Sequence, residues 1–551
     1  MTATRVPPAT TTSPAAHRAA TRTLAGTGTM IRLVVRRNRI RLLVWLVVLV
    51  GLFAYVEAYY ADIFDTQAAL DDFAMVSDVP SIKALTGLAA APATLGGAVW
   101  TKIWMTCAMS LAFGVVFLVT RNGRADEEAG RTELLRSRVL GLHAPSVASW
   151  LVLAALSVAV GVGVALASAA GGLDPADTGI TGSLVVGASL TGVGLVAIGV
   201  GAVAGQLAST SRGANALGSS VLGVLYALRM VGDLGDGRLT WASPIGWAEE
   251  MQPWGANRWW PLGLMVLLAV VLLAAAALLE ARRDLGAGLL PERPGRAAAP
   301  ARYGRPLGLG LRLQRGPIIG WTLTVALSAL MFGSVVEAMN ELMSDAGSQV
   351  AALLRGTGVD ALLSMLVTMI ALVVTVFAIQ TSVALRVEEA NGLVEPELAG
   401  ALSRTRWALE RLLIPTVGAA LLLLLGGAGM GAGYGSIVGE SGLTGDLALA
   451  ALAYWPAVMV FVGTSVALFG WLPRLAVPLA WGVLAAMWFV VIIGDALHLP
   501  AWLLDVLPFS ATPYQPLEPM SWTPLVVMTL IAAALVWAGL DRFNRRDVQP
   551  G

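Results

Sequence analysis

The feature that most constrains this chain is a series of long apolar segments that contain few charged residues. Only 13% of its 551 residues are charged, whereas a soluble globular domain carries about 25%. A stretch of about 20 apolar residues is long enough to cross a bilayer as a helix. We therefore predict an all-α integral membrane protein with twelve spans, near residues 42–59, 99–120, 146–170, 181–207, 214–232, 260–280, 317–337, 361–384, 411–433, 447–470, 475–494 and 522–540.

A charged motif, R-x-x-E-x-x-G-x-x-E, occurs twice at a separation of 262 residues, each time between two apolar segments. Other short patterns recur in the same order at nearly the same separation, such as Arg282-Arg283-Asp284 and Arg545-Arg546-Asp547. These matches predict two parallel six-helix halves, 29–283 and 313–551, with a disordered tail, 1–28, and a linker, 284–312. The motif residues are Arg124, Glu127, Gly130 and Glu133 in the first copy, and Arg386, Glu389, Gly392 and Glu395 in the second.

The arginines predict how the chain is oriented, because loops on the cytoplasmic side carry an excess of basic residues. The segment 281–315 contains eight arginines, whereas the segment 61–78, after the first span, contains five aspartates and no basic residue. Alternating from these two segments places both motif copies and both termini in the cytoplasm. Because the first apolar run starts only near Leu42, we expect an uncleaved anchor and no cleaved signal peptide.

Each motif copy has the features of a helix that docks on a partner. Arg124 can pair with Glu127 or Glu128, and Arg386 with Glu389, because residues three or four apart share a helix face. We expect these pairs to stiffen an exposed helix, with Gly130 and Gly392 permitting a turn or close approach by the partner. In the second copy we expect Pro396 to interrupt the helix. The alternative is an ordinary solvated loop with charge pairs.

Several kinds of chemistry are excluded by residues that the sequence lacks. Neither of the two lysines, Lys83 and Lys102, lies in the G-x-x-x-x-G-K-[ST] pattern of a P-loop, so the chain is not expected to be an ATPase or another enzyme. One cysteine and three scattered histidines weigh against a metal site, and the net charge of +1 gives no indication of nucleic acid binding. Ionisable residues in the spans, such as Glu57, lie near span ends, which weighs against an ion-coupled carrier but leaves it as an alternative.

The sequence resembles the ABC-2 type permeases of ABC exporters. The resemblance rests on E-x-x-G-x-x-E after the second span of each half, and on Leu402-Ser403-Arg404 after the second copy. The outer-loop pattern from Ser243-Pro244-Ile245-Gly246-Trp247 to Arg258-Trp259-Trp260-Pro261 is similar to that of actinobacterial antibiotic and multidrug export permeases of the tetronasin type. The first copy departs from the family pattern, because His143 to Ser146 stand where the Ser-Arg pair would be.

The resemblance implies a type V exporter-like permease in the bacterial cytoplasmic membrane that moves amphipathic drugs or antibiotics outward by alternating access. Two copies of a separate ATPase, which would hold ATP and Mg²⁺, would dock on the two coupling loops. The chain itself would bind no cofactor, and export of lipid or polysaccharide is the alternative within this class. The coupling residues implied are Arg124, Glu127, Glu128, Gly130, Glu133, Arg386, Glu389, Gly392 and Glu395.

Aromatic and apolar residues of the second and fifth spans are candidates for lining a central substrate cavity, and tryptophans of the first half's outer loop are candidates for an outer gate. The alternatives are ordinary packing for the first set and an aromatic belt at the lipid headgroups for the second. The cavity candidates are Trp100, Trp104, Phe113, Val116, Leu222, Tyr226, Phe377 and Phe489. The gate candidates are Trp247, Trp254, Trp259 and Trp260.

Overall fold

The fold was described from a computed structural model of the chain. The structure describes residues 23–78, 80–136, 140–174, 179–235, 237–290, 297–345, 358–493 and 507–549. Within these ranges the regular structure is helical and there is no strand. Most of the predicted tail, 1–28, lies outside the described residues.

The contacts divide the chain into two compact units, Met1–Pro294 and Gly295–Gly551. In the first unit the long helices follow the predicted spans. Its α-helices are Thr27–Ile63, Gln67–Ser77, Pro80–Thr86, Leu95–Val99, Met105–Asn122, Arg124–Glu128, Arg131–Arg136, Ala144–Ala170, Thr181–Leu207, Ser211–Leu234, Pro244–Glu249 and Trp260–Arg282, with a π-helical turn at Trp100–Trp104 and a 3₁₀ turn at Thr240–Ala242.

The second unit also has long helices on both sides of a short helix, Ala384–Ala390, that carries the motif. Its α-helices are Pro306–Leu313, Arg315–Asp345, Val359–Ser382, Ala384–Ala390, Val394–Leu398, Arg404–Val438, Leu443–Leu452, Trp455–Trp471, Ala476–Ile493 and Trp522–Arg545, with a 3₁₀ turn at Ala301–Gly304. The placement of the halves at 29–283 and 313–551 stays a prediction, as does the linker.

The helices identify a multi-pass integral membrane protein. In the described part of the chain, eleven helices are long and apolar enough to cross a bilayer, and Ala476–Ile493 is a shorter apolar helix at the position of the predicted eleventh span. The all-α membrane fold predicted from the apolar segments is confirmed. The first helix, Thr27–Ile63, would be about 55 Å long at 1.5 Å per residue, so its arginine-rich start extends beyond the roughly 30 Å hydrocarbon core.

The helix Thr181–Leu207 forms the centre of the first unit. It packs against Ala144–Ala170, Trp260–Arg282 and Met105–Asn122, and most of its residues are buried. Small residues permit this close packing, as is common between membrane helices. A Cβ atom added at Gly187 would overlap the carbonyl oxygen of Gly161, and one added at Gly161 would overlap that of Gly187.

This crossing predicts that alanine at Gly187 destabilises the chain. Gly187→Ala should reduce stability by about 1–3 kcal/mol, because the new methyl group forces the two backbones apart. The matched control is Gly263→Ala, where an added Cβ meets nothing within 4 Å and helix propensity favours alanine by up to about 1 kcal/mol. Thermal unfolding of both variants in lipid nanodiscs measures the difference, and equal melting temperatures would contradict the close packing.

Candidate functional site

The first motif copy forms a buried ion cluster in which one carboxylate binds two guanidinium groups. Arg124 and Glu127 lie 2.9 Å apart, and Arg283, just after the helix Trp260–Arg282, approaches Glu127 to 2.5 Å. We call Arg124, Glu127 and Arg283 the first arginine–glutamate cluster. Arg124 also donates hydrogen bonds to the carbonyl oxygens of Ser209, Gly286 and Ala287.

The second motif copy repeats this geometry in the second unit. Arg386 and Glu389 lie 3.0 Å apart, and Arg546 approaches Glu389 to 2.6 Å. We call Arg386, Glu389 and Arg546 the second arginine–glutamate cluster. Arg386 also donates to the carbonyl oxygen of Gln549 at 2.7 Å, as Arg124 does to that of Ala287, so the two clusters have one backbone contact in common.

The predicted pairs of Arg124 with Glu127 and of Arg386 with Glu389 are confirmed, but the prediction that they lie on an exposed helix is wrong. The exposed fractions of the four side chains run from 0% to 11%. A buried charge is costly unless it is paired and hydrogen-bonded, and this explains why both partners recur at the same spacing. These residues hold each unit together near the motif.

The motif glycines end the short helices Arg124–Glu128 and Ala384–Ala390 in the same way. Gly130 has φ +68° and Gly392 has φ +69°, a left-handed conformation that strains other residue types. Each glycine donates its N–H back to the carbonyl of the motif glutamate three residues earlier. The turn lets the chain leave the buried cluster toward solvent.

The last glutamate of each motif copy is exposed. Glu133 lies on the short helix Arg131–Arg136 beside Leu134, which is 74% exposed, and Glu395 lies on the short helix Val394–Leu398. Pro396 does not interrupt the second helix, because proline is tolerated in a first helical turn. Glu133 and Glu395 are therefore the motif carboxylates that another molecule can reach.

Glu128 has a role of its own. It accepts hydrogen bonds from the backbone N–H of Ser211 at 2.8 Å and from the Ser211 hydroxyl at 2.5 Å. The carboxylate thus stabilises the N-terminus of Ser211–Leu234, where the helix dipole favours negative charge. Position 390 in the second copy is alanine, so this bond has no counterpart there.

The Ser-Arg pair of the second copy fastens the third span of that unit to its last helix. Ser403 caps the helix Arg404–Val438, and Arg404 donates to the carbonyl oxygens of Phe543 and Arg546 at 3.2 and 2.5 Å. The first unit achieves the same connection with different residues. There the carboxylate of Glu280 accepts a hydrogen bond from Ser146 at 2.8 Å and lies 2.9 Å from the Nδ1 of His143.

The candidate cavity residues lie inside or against the core of their own unit. Trp100 and Trp104 are stacked with ring centroids 4.0 Å apart, and Trp104 donates to Ser189 at 2.9 Å. Val116, Leu222 and Phe377 are also buried, whereas Phe113 and Tyr226 are half-buried. The side chain of Phe489 lies outside the described residues. Their role in a substrate cavity stays a prediction.

The outer-loop tryptophans occupy mixed surroundings. Trp254 is buried, and Trp247 donates to the carbonyl of Trp241 at 2.7 Å. Trp259 and Trp260 are about half exposed, which suits an aromatic belt at the headgroups as well as a gate. A role of these tryptophans in an outer gate stays a prediction.

A cluster of three ionisable side chains and one separate carboxyl group are buried near the ends of spans in the first unit. Arg229 and Asp233, four residues apart on one helix, pair at 3.3 Å, and Glu249, on the short helix Pro244–Glu249, lies 2.9 Å from Arg229. Burial raises the pKa of the Glu249 carboxyl well above its usual range, although Arg229 opposes this shift. Glu57 lies against Gly171, and neither of its carboxylate oxygens has a hydrogen-bond partner in the described chain.

Sequence reasoning missed Arg283 and Arg546 as parts of the motif site. The signal was present, because both belong to the Arg-Arg-Asp pattern that recurs 263 residues apart. It was interpreted only as a sign of duplication and of orientation. In the residues that the structure describes, no group of three His, Cys, Asp or Glu side chains is arranged to hold a metal ion.

Two comparisons with known proteins extend this description. Residues 304–544 match the family model for the C-terminal domain of the multidrug efflux system permease Rv1217c. The whole chain is similar to the multidrug efflux system permease protein Rv1217c of Mycobacterium tuberculosis, with 36% identity over 548 residues. The alignment covers 97% of this chain and 98% of the relative.

The burial of the clusters predicts that the first and last glutamates of the motif differ sharply in their effect on stability. Glu127→Gln or Glu389→Gln should destabilise the chain by about 3–5 kcal/mol, because two buried guanidinium groups lose their carboxylate. Glu133→Gln or Glu395→Gln should change stability by less than about 0.5 kcal/mol, as exposed substitutions do. Thermal unfolding in nanodiscs compares the four variants, and similar melting temperatures in all of them would contradict the structural role of the clusters.

Proposed function

The chain belongs to the family of multidrug efflux system permeases, and from this premise we propose that it is the membrane-spanning subunit of an ATP-driven exporter. In this proposal a separate ATPase, present in two copies, docks on the two motif loops and holds the ATP and Mg²⁺. The cargo is an amphipathic drug or antibiotic, which crosses by alternating access. The two loops and both termini lie on the cytoplasmic side of the bacterial inner membrane.

The observation that carries the proposal is a pair of exposed short helices, each fixed to a buried ion cluster. Arg131–Arg136 and Val394–Leu398 each present a carboxylate next to exposed apolar groups. The same arrangement occurs once in each unit, which fits two copies of one partner. Exposed apolar groups beside a carboxylate suit contact with a protein partner.

The buried clusters give a route by which movement of the partner would reach the spans. In the first unit the cluster joins the end of the second span to the backbone at Ser209 after the fourth span, and to Arg283 after the sixth. In the second unit Arg386 bonds to the backbone of Gln549 after the last helix, and Arg546 bonds to the backbone of Phe469 near the end of Trp455–Trp471. A force applied at either short helix would therefore act on several spans together rather than bend one loop.

One observation favours a second function, that of an ion-coupled carrier. Glu57 is buried in the first span without a hydrogen-bond partner in the part of the chain that the structure describes, and such carboxyls often bind the coupling ion in carriers. The two functions differ in their energy source. Efflux of a fluorescent amphipathic dye that stops on ATP depletion but persists with a protonophore supports the exporter, and the reverse result supports the carrier.

The docking proposal predicts that reversing both exposed carboxylates uncouples the permease without unfolding it. The double variant Glu133→Arg with Glu395→Arg should keep its melting temperature, lose the co-purifying ATP-binding subunit and reduce dye efflux at least ~10-fold, as the loss of about 1.4 kcal/mol or more of coupling would produce. Affinity purification from native membranes and dye efflux in cells measure these effects.

The matched control reverses two exposed carboxylates at the opposite ends of the spans. Asp72 follows the first span of the first unit, and Glu440 follows the third span of the second unit. Asp72→Arg with Glu440→Arg adds the same charge but leaves the short helices intact, so subunit capture and efflux should be unchanged. If the Glu133/Glu395 variant also captured the ATPase normally, the docking assignment would fail.

A further inference from the structure

The first unit contains a small polar cavity beneath its arginine–glutamate cluster. The cavity has a volume of about 30 Å³ and lies among the second, third and fourth spans and the segment after the sixth. It is large enough for two or three water-sized groups. Its lining includes Arg124 and Arg283 of the cluster, together with Thr120, Asn122 and Ser149.

Three buried side-chain groups of this lining have no hydrogen-bond partner in the described residues. They are the Thr120 hydroxyl, the Ser149 hydroxyl and the Nδ2 amide of Asn122, on side chains that are at least nine-tenths buried. The Asn122 amide has a fixed orientation, because its Oδ1 accepts hydrogen bonds from Arg37 at 2.6 Å and Asn38 at 3.0 Å. Burying a polar group without a hydrogen-bond partner costs free energy. A ligand that accepts hydrogen bonds from these groups would remove that cost.

All three groups are able to donate a hydrogen bond, and the nearby acceptors are already occupied. The Glu127 carboxylate binds Arg124 and Arg283, and the Gln206 Oε1 accepts from Arg283 at 2.5 Å. The cavity lining therefore contains two positively charged guanidinium groups and one negatively charged carboxylate. Donor groups around a local positive charge favour an anion over water, and the volume limits that anion to a single small ion.

The second unit lacks this arrangement at the corresponding positions. Ala384 stands where Asn122 does, Phe469 takes the place of Gln206 beside the equivalent arginine, and the Ser382 hydroxyl donates to the carbonyl of Ala378 at 2.5 Å. The ring of Phe469 packs on Phe543 with centroids 4.8 Å apart, and Arg546 lies over it at 5.0 Å.

We propose that the cavity of the first unit binds one chloride ion, held by donors from Thr120, Asn122 and Ser149 and by the excess positive charge of the first arginine–glutamate cluster. The ion would complete the hydrogen bonding beneath the motif in one unit only. The two motif sites then differ in their response to the ionic medium, the first depending on chloride and the second not.

The test uses the full chain in lipid nanodiscs, without nucleotide or ATPase, so its result does not depend on the proposed function. The melting temperature is measured while chloride replaces gluconate at constant ionic strength. A saturable rise is expected, with an apparent chloride dissociation constant that increases at least ~10-fold in Ser149→Ala and in Thr120→Val, since each loses one hydrogen bond to a charged group.

The matched control is Ser157→Ala on the same helix as Ser149, because Ser157 is buried but donates to the carbonyl of Leu153 at 3.1 Å and does not line the cavity. It should respond to chloride as the unaltered chain does. Equal melting temperatures in chloride and gluconate would show that the cavity holds water alone and would overturn the proposal. A chloride effect that is unchanged in both cavity variants would place the ion elsewhere and would overturn it as well.

Discussion

The arrangement of each unit near its motif depends on one buried carboxylate that neutralises two guanidinium groups. Glu127 and Glu389 each receive an arginine from their own short helix and a second from beyond the last span of the unit. Burying any of these charges alone would cost several kcal/mol, whereas together they are paired and hydrogen-bonded. The chain beyond the last span must therefore return to the second span, and this closes each unit at that end.

The two units reach this closure with partly different residues, so some features recur in both units and others do not. The ion cluster and the left-handed glycine after it are the same in both. The bond between the third span and the last helix is made by His143, Ser146 and Glu280 in one unit, and by Arg404 with backbone carbonyls in the other. The connection persists while its chemistry changes, so the departure of the first copy from the Ser-Arg pattern is a substitution of one interaction for another.

The sequence was sufficient for the membrane class, the approximate positions of the spans and the pairing within each motif, because these follow from hydropathy and from helical spacing. It was insufficient for the burial of the pairs, since burial depends on which distant segment covers them. The repeated Arg283 and Arg546 could have been connected to the motif by their common offset, but offset alone does not distinguish contact from shared ancestry. The sequence could not decide the surroundings of Trp104 for a similar reason: an aromatic residue on an apolar helix has the same pattern whether it faces a cavity or a neighbouring helix.

The separation of exposed from buried carboxylates within the motif bears on how force would be transmitted under the proposed docking of an ATPase. A surface that docks a partner has to be exposed to solvent, whereas an element that transmits force has to be rigid and well packed. One residue cannot satisfy both demands. The left-handed turn at Gly130 or Gly392 separates them by placing the carboxylate of Glu133 or Glu395 in solvent and that of Glu127 or Glu389 in the core. Because the turn is only a few residues long, the exposed helix has little freedom relative to the buried cluster. Displacement of that helix therefore has to strain the ion cluster or move the spans it joins, and the cost of unpairing buried charges favours movement of the spans.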